Sequence, residues 1–117
     1  MNSKNLSPRA LRVRFRHMPQ SNSIKELVRM QADRLRRFNL AGSRCEVVIE
    51  KMHRRHKGII FKGSVRLTVL GERLFVAHAE EKSDSSEYLN SAVRLAFDEI
   101  ERQLEKRSKR IECHRAA

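Results

Sequence analysis

Residues 61–80 read Phe-Lys-Gly-Ser-Val-Arg-Leu-Thr-Val-Leu-Gly-Glu-Arg-Leu-Phe-Val-Ala-His-Ala-Glu. Phe61, Val65, Leu67 and Val69 alternate with Lys62, Ser64, Arg66 and Thr68, the period of a half-buried strand. Gly71-Glu72 marks a tight turn, and a second run over about Arg73 to Glu80 makes the pair a hairpin. Phe75, Ala77 and Ala79 form one candidate inner set, since small residues let a helix approach. Leu74, Val76 and His78 form the other, and the pattern does not decide between them.

Upstream, Cys45, Val47 and Ile49 alternate with Glu46, Val48 and Glu50, which gives another strand. Residues 51–57, Lys-Met-His-Arg-Arg-His-Lys, end at Gly58 and read as a basic loop too polar to pack. Further back, Leu11, Val13 and Phe15 alternate with Arg12, Arg14 and Arg16, so the first strand is apolar on one face and strongly basic on the other. Met18-Pro19-Gln20 breaks it. Ser23 with Glu26 three residues later is a capping-box signature and predicts a helix start. Ile24, Leu27, Val28, Gln31, Leu35 and Phe38 then fall on one side, with Lys25, Arg29 and Arg36 in a stripe beside it. Asn39 to Ser43, with Gly42, ends this helix.

Downstream, Ser83-Asp84-Ser85-Ser86 reads as a loop and cap. Leu89, Val93, Ala96, Phe97, Ile100 and Leu104 follow at helical spacing to about Arg110. The order β-α-β-β-β-α defines an α+β fold, a four-stranded sheet with two helices packed on one face. If the first two strands are parallel, their connection is a right-handed crossover. Residues 1–10 read as a flexible N-terminal tail, 11–110 as a single domain and 111–117 as a basic C-terminal tail.

Composition narrows the function. The 117 residues carry 26 Lys and Arg against 14 Asp and Glu, a net charge of +12. Such a balance self-repels unless an anion takes it up, and nucleic acid is the foremost partner class. No apolar run is long enough to span a membrane, and no secretory signal is predicted at the start. Hydrophobic residues make up 39% and fall in periodic blocks, which argues against disorder. Cys45 and Cys113 lie far apart, so neither a disulfide nor a zinc site is expected; His53, His56 and His114 supply no second ligand pair at metal spacing.

Catalysis finds little support. The chain has neither a Gly-rich phosphate loop nor a nucleophile elbow, and no small-molecule substrate or cofactor is implied. Asp98, Glu101 and Glu105 share one helical side, but Asp98–Arg102 and Glu105–Lys109 read as ordinary i,i+4 ion pairs. The positive charge is organised in three places: the outer face of the first strand, the 51–57 loop with Arg54, Arg55 and Lys57, and the helices. On the last helix Arg102, Lys106 and Lys109 project opposite the apolar seam. Each such group can neutralise a phosphate and release counterions. No helix carries an evident set of base-reading side chains. Phe15, Phe61 and Phe75 read as core, so a stacking platform is not expected. A double-stranded-RNA module begins α-β-β-β-α, whereas here a strand comes first. Recognition of a folded RNA's phosphate shape remains.

Four stretches carry a resemblance. Val48-Ile49-Glu50-Lys51 and Phe75-Val76-Ala77-His78-Ala79-Glu80 are similar to strands of the ribosome hibernation promoting factor / ribosome-associated inhibitor (protein Y) family. Ser91-Ala92-Val93 and Asp98-Glu99-Ile100-Glu101-Arg102-Gln103-Leu104-Glu105-Lys106 resemble its last helix. The likeness covers about residues 11–110 and is closest to the family's short form. It departs where Glu87-Tyr88-Leu89-Asn90 replaces the family's usual Asp-Met-Tyr, and where Glu99 replaces a common lysine. The resemblance implies a cytoplasmic protein, monomeric off the ribosome, that binds the small ribosomal subunit and its rRNA near the decoding centre. It further implies inhibition of translation in resting or stressed cells. Arg102, Lys106 and Lys109 match basic positions of the family's last helix, and Lys25 and Arg29 match those of its first. A structural ribonucleoprotein component or a general RNA- or DNA-binding protein is the alternative.

Overall fold

Alternating strands and amphipathic helices assemble in the expected order. The computed structural model describes residues 10–38, 40, 42–54, 58–69, 74–82 and 86–116. Strand β1 (Ala10–Arg16) leads to helix α1 (Asn22–Asp33), which tightens into a 3-10 turn (Arg34–Phe38). Strands β2 (Arg44–Arg54), β3 (Gly58–Thr68) and β4 (Leu74–Lys82) follow, and helix α2 (Ser86–Ala116) closes the chain. The sheet order is β1-β2-β3-β4. The first pair is parallel and the other two are antiparallel.

Both helices lie on one face of this sheet. Ile24, Val28, Leu35 and Phe38 from the first helical segment meet Val93, Phe97, Ile100 and Leu104 of α2 over Cys45, Val47, Ile49, Val65 and Leu67. The structure settles the fourth strand, since Phe75 and Ala77 are buried while Leu74 is exposed. Leu11, Val13 and Phe15 pack half-buried against the same core. Gly63 sits where α2 crosses β3, and a Cβ there would stand 3.2 Å from the Ala92 carbonyl oxygen. Only hydrogen fits comfortably at that crossing.

Three local expectations are corrected. The α1 cap is Ser21, whose Oγ accepts from the Ile24 amide at 3.3 Å. Ser23 lies inside the helix and its hydroxyl bonds Ser21 Oγ at 3.0 Å. The third helical position behind Ser21 is therefore Ile24, and the reciprocal carboxylate of a capping box is not available there. The 51–57 segment is not wholly a loop. Lys51, Met52, His53 and Arg54 extend β2 and pair with Phe61, Ile60, Ile59 and Gly58. Pairing with an apolar β3 end satisfies the backbone despite the polar side chains, and Gly58 takes the positive φ of 73° that starts β3. Finally, α2 runs beyond Arg110 to Ala116, because no Gly or Pro interrupts its Lys-, Arg- and Glu-rich end. Of the expected 1–10 tail, Ala10 belongs to β1, and of the expected Ser83–Ser86 cap region, Ser86 already opens α2; residues 1–9, the Gly71-Glu72 turn and residues 83–85 lie outside the described residues.

Candidate nucleic-acid interface

The two helical segments run in the same direction, and this decides where their charges fall. Ile24 shares a cleft with Leu89 and Asn90, Arg34 reaches Glu101, and the Arg107 guanidinium donates to the Phe38 carbonyl at 3.2 Å. Lys25 and Arg29 therefore lie beside the beginning of α2. Arg102, Lys106 and Lys109 lie well beyond that, since the rise per residue puts Arg102 about 20 Å along α2 from Leu89.

Between these groups sits an ion network across the helix layer. Arg34 donates to Glu101 at 2.9 Å and approaches Asp98 at 3.8 Å. Arg37 bridges Glu101 at 2.7 Å and Glu105 at 2.8 Å, and lies over the Phe38 ring at 4.2 Å from its centre. Hydrogen bonds to Glu101 first and Glu105 second raise the Arg37 pKa above its ordinary value, so this guanidinium stays charged at any workable pH. The expected Asp98–Arg102 and Glu105–Lys109 pairs do not occur among the described residues. Asp98 and Glu105 stand on the flank of α2 that faces the 3-10 turn, and two arginines meet them there.

The solvent stripe of α2 is placed as expected. Arg102, Lys106 and Lys109 are exposed and point away from the seam. Arg102 Nε lies 3.4 Å from Glu99, while Lys106 and Lys109 carry no ion pair among the described residues. On α1, Lys25 donates to Gln20 at 2.8 Å, and Arg29 is tied to Glu26 at 2.5 Å. Arg54 ends β2 at the hairpin tip, and Arg55 and Lys57 lie outside the described residues. The structure thus joins the α2 residues into one patch and separates them from Lys25 and Arg29.

Sequence reasoning missed two things. Arg34 and Arg37 were not singled out, although an acidic flank on α2 at 98, 101 and 105 signals a cationic partner on the facing segment. Arg44 and Arg66 give no clustered signal in the sequence, because they lie on different strands and only the sheet register brings them together with Arg12. In cross-strand register Arg66 and Arg12 flank Glu46, and Arg44 stands in the next row.

No cluster of metal-ligating side chains occurs among the described residues. Burial pushes the Cys45 thiol up to about 12, which makes it an inert core group. No described helix is long and apolar enough to cross a membrane. What the arrangement offers is exposed positive charge on a rigid frame, a surface suited to phosphates.

Fold and charge together define a strongly basic β-α-β-β-β-α domain. Residues 11–112 match the family described as sigma 54 modulation protein / S30EA ribosomal protein, and the chain belongs to that family. Two solved structures share the fold. One is the N-terminal domain of protein Y from Thermus thermophilus, with a TM-score of 0.66 and 18% identity over 81% of this chain and 93% of that one. The other is a ribosomal subunit interface protein from Coxiella burnetii, with a TM-score of 0.65 and 14% identity over 86% of this chain and 98% of that one. No individual curated protein matches the sequence significantly.

Proposed function

We propose that this protein binds the small ribosomal subunit through rRNA near the decoding centre and holds ribosomes inactive in resting or stressed cells. The observation that carries this reading is the exposed Arg102–Lys106–Lys109 stripe on the fold of a ribosomal family. Lys25 and Arg29, with Arg54 at the end of β2, supply a second contact region at the other end of the helix layer, and Arg55 and Lys57, next in the chain, are assigned to the same contact. A domain wedged in an RNA channel by both regions would exclude mRNA and tRNA by occupancy, with no catalytic step. Such a protein works in the cytoplasm as a monomer until it meets a ribosome.

Cell-free translation tests this. Parent protein should inhibit in proportion to its occupancy of small subunits. The R102E/K106E/K109E variant should remain folded in thermal unfolding and lose inhibition. Equal inhibition by parent and variant would refute the assignment of this stripe. Sedimentation with subunits from resting and growing cells separates a hibernation factor from a permanent ribosomal component, which would load equally on both.

A further inference from the structure

The open face of the sheet carries charge that the helix side does not use. Arg12, Arg14, Arg16, Arg44 and Arg66 are all exposed there, and none has an ion pair among the described residues. Carboxylates share this face without neutralising them. Glu46 stands between Arg12 and Arg66, Glu50 lies 3.7 Å from His17, and Glu80 flanks Lys62. Arg12, Arg44, Glu46, Arg66 and Thr68 line a cleft of about 410 Å³. Like charges gathered on neighbouring strands repel one another, and an anion shared between them removes that cost.

The pattern also says which anion. Arg12, Arg14 and Arg16 recur every second residue on β1, about 6.7 Å apart at the rise of an extended strand. That step is comparable to the one between successive phosphates on a nucleic-acid strand. Among the described residues this face presents no Phe, Tyr or Trp on which a base could stack, since Phe15, Phe61 and Phe75 turn to the core. Backbone, not bases, is what such a surface grips.

We propose that the open sheet face binds the phosphodiester backbone of a single RNA strand along β1, with one phosphate seated in the Arg12–Arg44–Arg66 cleft. This rests on the ribosome reading for its source of RNA, and it adds a contact on the side of the domain opposite α2. The protein then sits between two RNA segments rather than against one.

The test uses the full chain, a labelled oligouridylate and purified small subunits, between 50 and 200 mM salt. R12A/R14A/R16A should lower the slope of log affinity against log salt by about 2, at ~0.7 per single-strand phosphate. R44A/R66A should lower it by about 0.7. Because these side chains are exposed, both variants should unfold near the parent's temperature, and the second serves if the first does not fold. Parental slopes for both variants on both probes would overturn the proposal. Weakened oligouridylate binding by the variants, with a parent that ignores small subunits, supports the face and refutes the ribosome reading instead. A loss confined to a poly-glutamate probe, with RNA binding unchanged, would assign the face to an acidic protein and overturn the proposal.

Discussion

Neutralising Glu101 and Glu105 together should make the protein a tighter and more salt-sensitive RNA binder while weakening its fold. These carboxylates hold Arg34 and Arg37 at 2.7 to 2.9 Å and so occupy two guanidinium groups that could face phosphate. The E101Q/E105Q variant releases Arg37 from both its carboxylates, leaves Arg34 only the longer 3.8 Å approach to Asp98, and raises the net charge by two. Two further phosphate contacts steepen the salt slope by about 1.4 on single-stranded RNA, which is an extra ~7-fold loss of affinity between 50 and 200 mM. The stability cost is modest, because both arginines are more than half exposed, at 51% and 54%, and water screens such surface pairs. Fluorescence anisotropy against salt gives the slope, and calorimetry gives the stability. A variant that is destabilised but keeps the parental slope would show that the arginines cannot reach RNA and that the network masks nothing.

Two further outcomes follow from the core. Phe97→Ala removes a fully buried ring from the α2 seam and should cost about 3–5 kcal/mol in denaturant unfolding, with the salt slope of RNA binding unchanged in whatever fraction stays folded. A cost below 1 kcal/mol would mean that the helix is rotated from the orientation described. Cys45 favours the fold only as a neutral thiol, with its pKa raised by burial from 9.0 to about 12. Its contribution is complete below pH 9 and declines as pH rises from there towards 12, because the unfolded chain releases the proton first. The stability difference between parent and Cys45→Ala should narrow by about 1.4 kcal/mol between pH 8 and 10, and a constant difference would refute the burial argument.

Period-two and period-3.6 patterns were enough to place every strand and both helices, and the core face of each element except the fourth strand. They act within one element, and burial enforces them there. What escaped the sequence depends on partners far along the chain. The β2 extension through Lys51 and His53 reads as loop because its support comes from Ile59, Ile60 and Phe61 on the facing strand. Asp98 and Glu105 suggest intrahelical pairing until the parallel run of the two helical segments brings Arg34 and Arg37 beside them. Arg102, Lys106 and Lys109 were legible as a surface stripe because all three belong to one helix. The Arg12, Arg44 and Arg66 cluster was not, because three strands contribute one residue each.

The arrangement of the sheet has a consequence for solubility. An open sheet ends in two unpaired strand edges, here β1 and β4, and each could recruit a strand from another copy. On β4, the Gln103 side chain of α2 donates to the Val76 carbonyl at 2.9 Å and occupies an acceptor that a foreign strand would need. On β1, edge-to-edge pairing of two copies would crowd two sets of Arg12, Arg14 and Arg16 together, and their repulsion opposes such growth. Residues placed for a polyanion thus double as gatekeepers against aggregation during the time the protein spends unbound.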